Sequence, residues 1–225
     1  FFIGVGSAFA RTNYQTNFLL VKGPTHLMVD FGMTGPEALE KTAGLAVTDI
    51  GAYLITHQHA DHIGGLECAG LMNRYVGRPF QGKPKLTMIV IEQQQELLWD
   101  RSLRGGMEWN EREEETKKLL SFPDYFMIVR PQWLTQQPRE IWQVEFGGIH
   151  IELFRTKHVP DSASDWQSSF TSFGLFVDGR IFFSVDTRFD RELVEMYANR
   201  SKVMFQDVQF FPGAVHAPLA DLKTL

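Results

Sequence analysis

Cysteine is almost missing from this chain. Cys68 is the only one among 225 residues, which excludes an intrachain disulfide and any cysteine-rich zinc site. It falls in "GGLECAGLMNRY", a helical stretch where a small thiol is expected to be buried. No apolar run approaches the ~18 residues that a membrane span needs, so no membrane segment is expected. Positive charge is in deficit: 27 acidic against 22 basic side chains leave a net charge of −5. That argues against an extensive nucleic-acid surface, while a local basic pocket remains compatible with it. Neither an internal repeat nor a low-complexity tract is visible. The single cysteine fits a reducing, cytoplasmic location. Phe1 stands inside a strand pattern with no methionine before it, so preceding residues are expected, and "DLKTL" is expected to be cut short.

With 44% apolar residues, the length suits a single domain, 1–225, around a continuous core. Short apolar runs bounded by Gly, Pro or Asn read as strands: "FFIGVG", "NFLLVKG", "HLMVDFG", "DIGAYLITH" and "LTMIVI". "GPEALEKTAGL" reads as a helix with Pro36 in its first turn, "HIGGLECAGLMNRYV" as the helix after the fourth strand, and "EQQQELLWD" as another. Residues 101–139 form an elaboration that includes "EWNEREEETKK", expected as a charged helix. Strand texture then returns in "IWQVEFGG", "IHIELFRTKH", "SFGLFVDG", "RIFFSVDT" and "KVMFQDVQFF", with the amphipathic helix "RELVEMYANR" among them. This order predicts an α+β fold: an αββα sandwich of two mixed β-sheets packed face to face, with helices on the outer faces.

Histidine is what the chain concentrates. Of seven histidines, three stand within "HQHADH" at residues 57–62, at the end of an apolar strand and ahead of a helix. Neutral imidazoles and carboxylates are ligands for borderline divalent metals, and a turn at a strand end can aim several of them at one point. His57, His59, Asp61 and His62 are therefore candidate ligands, with Gly64 and Gly65 allowing close backbone approach. Two metals need more donors, and these return at later strand ends: His158 after "IELFRTK", Asp186 closing "RIFFSVD", and His216 in "GAVHAPL". His26 and His150 read as ordinary strand positions.

On these residues the sequence resembles the metallo-β-lactamase superfamily over almost its whole length. The resemblance implies that His57, His59 and His158 hold one metal, that Asp61, His62 and His216 hold the second, and that Asp186 bridges them. Asp61 and Asp186 are thus the expected catalytic carboxylates. Two divalent ions are implied, zinc by preference with Mn²⁺ or Fe²⁺ as alternatives, and together they activate water and clamp the attacking and leaving oxygens of a phosphoester. Within the superfamily, "GVGSAF", "QTNFLL", "HADHIGGLE" and the His216 loop are similar to the phosphodiesterase branch. "LWDRSLRGGME", "ELFRTKHVP" and "VHAPLADLKTL" are most similar to cyclic-nucleotide phosphodiesterases of the anti-Pycsar type.

The expected substrate is accordingly a small cyclic nucleotide. A tRNase Z-like endoribonuclease is the first alternative, and a lactonase- or thioesterase-type hydrolase on the same scaffold the second. The acidic segment 108–118 would repel an RNA backbone. Where tRNase Z carries a His-Glu pair, this chain has Gln206 and Asp207, the latter a candidate for orienting a ligand histidine. Lys157 and Arg188 are candidate phosphate contacts, or alternatively solvated surface charges. Trp99, Trp109, Tyr125, Phe126, Trp133 and Trp166 can stack on a base or pack internally. The resemblance further implies a homodimer with a lid shared across it. A flavo-diiron protein is disfavoured because His59 stands where those proteins carry glutamate, and a non-catalytic remnant because every ligand position is kept.

Overall fold

The computed structural model describes residues 1–213 and 215–225, and the chain divides into two compact units, Phe1–Arg130 and Pro131–Leu225. In the first unit the strands are β1 (Phe2–Gly4), β2 (Asn17–Lys22), β3 (Thr25–Val29), β4 (Ala52–Leu54), β5 (Leu86–Ile89) and β6 (Phe126–Val129), paired in that order in one sheet. The pairings from β1 to β3 are antiparallel and those from β3 to β6 parallel, so the sheet is mixed. Val29, Leu54 and Ile89 are in register, so the chain leaves β3, β4 and β5 at one level. The turn that carries the candidate ligands His57 and His59 starts from that edge.

The helices of this unit are α1 (Gly35–Ala43), α2 (Ala60–Ile63), α3 (Leu66–Met72), α4 (Arg78–Gln81), α5 (Glu92–Leu98), α6 (Arg104–Met107) and α7 (Phe122–Tyr125). Pro36 occupies the first turn of α1, and Gly44 ends it in the left-handed region at φ 64°, a conformation that costs glycine little. Met28, Tyr53 and Met88 share a core with Leu39, Leu66, Ala69, Leu98 and Met107 from these helices.

The second unit has β7 (Gln132–Thr135), β8 (Ile141–Phe146), β9 (Ile149–Arg155), β10 (Phe173–Val177), β11 (Ile181–Phe183) and β12 (Val203–Phe205). They form a second sheet in the order β12-β11-β10-β9-β8-β7, antiparallel except for the parallel β11–β12 pair. Its helices are α8 (Arg191–Ala198) and α9 (Leu219–Leu222). Phe154 stacks on Phe182 at 5.1 Å and meets Tyr197 of α8 at 4.7 Å, and Phe176 and Leu193 complete this core. Asp190 caps α8 by accepting from Leu193 N, and its other oxygen receives the buried Arg139 guanidinium at 2.7 Å. No helix among the described residues is long and apolar enough to cross a membrane.

Several local expectations are corrected. The helix expected over "HIGGLECAGLMNRYV" begins earlier, at Ala60, and breaks at Gly64–Gly65. There the segment Phe31–Met33 approaches so closely that added Cβ atoms would clash, that of Gly64 at 2.4 Å from the Met33 side chain and that of Gly65 at 2.7 Å from Gly32 O. Cys68 is exposed on α3 rather than buried; the inward face of that helix is taken by Leu66, Ala69 and Gly70. Within 101–139, Phe126–Val129 and Gln132–Thr135 are sheet strands that the sequence reading left in the elaboration.

The charged run "EREEETKK" is not helical; a single 3₁₀ turn spans Glu108–Asn110 and Glu111 is extended, at φ −142° and ψ 153°. Like charges one turn apart disfavour a helix. Meanwhile Arg74 grips Glu111 through two bonds of 2.8 Å, while its guanidinium lies over the Tyr125 ring. That guanidinium holds the Glu111 carboxyl down to about 2, against an ordinary 4.5. A depressed carboxylate stabilises the fold fully above its ordinary pKa, and the contribution is lost as pH falls through the depressed value. A carbon-13 NMR titration is expected to place the Glu111 midpoint near 2, and Arg74→Ala to return it toward the ordinary range; a midpoint already ordinary in the unmodified chain would refute the clamp.

Candidate metal centre

In the first unit the candidate donors lie immediately beyond β4 and in α2, around one buried carboxylate. Asp30 follows β3 with a left-handed φ of 58° and is 1% exposed. It accepts from Thr56 N at 2.8 Å, Thr56 Oγ1 at 2.7 Å and His62 Nδ1 at 2.7 Å. Burial pushes the Asp30 carboxyl up, and the charge and hydrogen bond of His62 oppose that. Thr56 Oγ1 also lies 3.1 Å from His57 Nδ1. Because this hydroxyl donates to Asp30, it accepts from the imidazole, which puts the His57 proton on Nδ1. Asp30 thereby orients two candidate ligands, His62 directly and His57 through Thr56.

The backbone fits closely around this group. Phe31 N donates to His62 O at 2.7 Å and Gly65 N to Phe31 O at 2.8 Å. A Cβ on Gly32 would fall 1.9 Å from Asp61 O. Only glycine lets the segment after Asp30 lie against the ligand turn.

With the Nδ1 atoms of His57 and His62 so committed, their Nε2 atoms present lone pairs, and His57 Nε2 and His59 Nδ1 stand 3.1 Å apart. Two nitrogens each about 2.0–2.1 Å from a tetrahedral cation are separated by roughly 3.3 Å. The spacing therefore matches two ligands of one ion. His62 Nε2 and Asp61 Oδ2, 3.4 Å apart, make a second nitrogen–oxygen pair suited to a borderline divalent metal. These residues fit a metal, and the donor set is that of zinc-type chemistry.

The second unit repeats the device with different parts. Beyond β9, His158 Nδ1 donates to Val215 O at 2.8 Å, while its Nε2 lies 3.6 Å from Asp186 Oδ2. Thr156 Oγ1 ties the end of β9 to Asp186 O at 3.0 Å. Val185 precedes Asp186 with φ 51°, a strained value for a β-branched residue, and this turns the chain out of the β11 line where Asp186 projects. His216 Nδ1 meets Asp207 Oδ2 at 2.7 Å, and Asp207 also receives Thr187 N at 3.2 Å. Burial raises the Asp207 carboxyl, the Asp186 carboxylate adds to that, and His216 opposes it. Asp186, Asp207 and His216 each place a donor atom within 4.8 Å of the others.

Each sequence-predicted donor thus sits with its fellows inside its own unit. Lys157 and Arg188 are placed differently: Lys157 Nζ donates to Ser164 O at 3.4 Å and the Arg188 guanidinium to Ala163 O. Both charges brace the loop after His158. Among the aromatic candidates, Trp99 packs on Phe122 and Tyr125, Tyr125, Phe126 and Trp166 are buried, and Trp109 and Trp133 are exposed. Asp30 was missed by the sequence reading. Its signal was available: "HLMVD" ends a buried strand on a carboxylate, as "RIFFSVD" does.

A profile of the family described as "Anti-Pycsar protein Apyc1" matches residues 1–225. An anti-Pycsar protein of Paenibacillus harenae is 35% identical over 99% of this chain and 82% of its own length. The chain belongs to this family. Among solved structures, the metallo-β-lactamase fold protein YhfI of Bacillus subtilis superposes with a TM-score of 0.66 at 14% identity, covering 96% of this chain and 76% of that one. Human tRNase Z, short form, gives 0.65 at 15% identity, covering 99% and 85%. The fold of this family member is the metallo-β-lactamase fold, as the ligand motif implied.

Asp30→Asn keeps the shape but weakens the acceptor shared by Thr56 and His62. Metal affinity is expected to fall about 10–100-fold, read by competition with a chelating indicator; unchanged affinity would remove Asp30 from the centre.

Proposed function

We propose that this chain is a binuclear metal-dependent phosphodiesterase acting on small cyclic nucleotides. The observation that carries this reading is the division of labour within the candidate histidines. His57, His62, His158 and His216 each have Nδ1 tied to an oxygen of Thr56, Asp30, Val215 or Asp207. That arrangement presents every Nε2 as a donor, a pattern that a core histidine has no need of. His57, His59 and His158 are assigned to one cation, Asp61, His62 and His216 to the other, and Asp186 to both. Zinc is the metal this imidazole-rich set favours, and Mn²⁺ or Fe²⁺ can use the same donors.

Bound there, the two cations would supply a nucleophile from water at neutral pH and a clamp on the phosphoester oxygens. The chain's own residues do the rest. Asp61, partly open to solvent beside His62, orients the attacking water as well as holding metal. Asp207 keeps the His216 ring in place, and the strained turn at Val185 holds Asp186 against His158. Lys157 and Arg188 fix the loop that follows His158, and the reading gives them contact with the substrate phosphate.

Relatives in the family are described as anti-Pycsar proteins, and the resemblance of the ligand motif implies a cyclic nucleotide as substrate. The exposed rings of Trp109 and Trp133 offer faces for a base or for a second copy of the chain, which the reading takes to be a homodimer in a cytoplasmic setting. A tRNA substrate is disfavoured by the acidic 108–118 segment and by Gln206-Asp207 where tRNase Z carries a His-Glu pair.

Purified protein is expected to hydrolyse bis(p-nitrophenyl) phosphate and cyclic nucleotides, and to leave lactone, thioester and β-lactam substrates and precursor tRNA untouched. Activity confined to the carbonyl substrates or to tRNA would overturn the assignment. His59→Ala and Asp186→Ala are each expected to abolish turnover while the protein stays folded by circular dichroism. Solution mass is expected at twice that of the chain; a strictly monomeric, fully active enzyme would remove the dimer.

A further inference from the structure

The ligand turn departs from Thr56, and Thr56 is held from two sides. Asp30 takes its N–H and its hydroxyl. On the opposite side Gln94 Nε2 donates to Thr56 O at 2.9 Å and, more weakly, to Ile55 O at 3.5 Å. These two carbonyls lie just past the last paired residue of β4, Leu54. The neighbouring strands no longer supply them with donors, although buried backbone acceptors need partners. Gln94 comes from α5 and is 1% exposed.

Burying a primary amide is costly unless both its ends are bonded. Here only the donor end is, and Gln94 Oε1 has no hydrogen-bond partner among the described residues. An apolar side chain of the same length would fill this position of α5 without that cost. What it would lack is a grip on the peptide plane joining Thr56 to His57.

We infer that Gln94 is a positioning residue for the metal centre, acting through the Thr56–His57 peptide to set the direction of His57. This rests on the binuclear reading given above. Asp30 fixes one edge of Thr56 and the rotamer of His57, and Gln94 fixes the other edge. Together they leave the first ligand little freedom to swing as a cation binds or departs, and the geometry between His57 and His59 is set before metal arrives.

The test is Gln94→Met, which keeps length and apolar fill but removes the donor. Affinity for Zn²⁺ or Co²⁺, measured by competition with a chelating indicator, is expected to fall about 10–100-fold. The visible absorption bands of the Co²⁺-loaded protein are expected to change as well, while the melting temperature of the metal-stripped protein holds or rises. Tyr53→Phe is the control, because Tyr53 lies in β4, is fully buried and has a hydroxyl without a hydrogen-bond partner; it is expected to leave affinity and spectrum unchanged.

Wild-type affinity and an unchanged Co²⁺ spectrum in Gln94→Met would overturn the inference, as would an equal loss in Tyr53→Phe. Should Gln94→Met fail to fold, Gln94→Asn keeps the amide but withdraws it from Thr56 O and is expected to show the same loss; wild-type affinity there overturns the inference equally. Absence of metal binding in the unmodified protein would instead bring down the binuclear reading itself.

Discussion

A single buried carboxylate organises the candidate ligands of the first unit. Asp30 is removed from water just past the end of β3, where a charge is tolerated only if it is fully bonded. Its donors are the N–H and hydroxyl of Thr56 and the ring of His62, residues far from it in sequence. Satisfying Asp30 therefore fixes the start of the ligand turn and one of its histidines at once. The glycines at 32, 64 and 65 follow from the same demand, because the segment carrying Asp30 has to lie against the backbone of that turn. A cation at the Nε2 atoms of His57 and His62 would meet rings already held by Thr56 and Asp30.

The second unit reaches an equivalent result without a central carboxylate. Each histidine has its own anchor, Val215 O for His158 and Asp207 for His216, and the left-handed Val185 turns the chain at Asp186. The candidate ligands His57, His158 and Asp186 each sit three residues past a strand end, that of β4, β9 and β11. There the ladder no longer claims the backbone, so side chains and loop carbonyls can be turned toward a common point. Strain of this kind is retained where surrounding bonds over-determine it, and here Thr156 and Asp207 provide those bonds on either side of Asp186.

Fold and chemistry are separable in this family. The scaffold is shared with proteins at 14–15% identity, and such likeness speaks to architecture alone. What marks this chain locally is an acidic segment pinned by the Arg74–Glu111 pair, a carboxylate at 207 that meets His216, and two exposed tryptophans. These features are surface and loop properties, which vary more freely than the strands that carry the ligands.

The sequence by itself named the candidate ligands and determined the mixed-sheet class and most of the strands. Donor type is written in residue identity, and the apolar runs before His57, His158 and Asp186 mark where strands end. It did not determine the strands at Phe126–Val129 and Gln132–Thr135, which look like elaboration until neighbouring strands pair with them. Nor did it determine the extended course of Glu111 or the exposure of Cys68. Only the tertiary structure decided that Asp30, Thr56 and Gln94 belong with His57. Hydrogen bonds between residues 26 and 38 positions apart leave no periodic trace in a sequence, because what joins them is the meeting of three parallel strand ends in space.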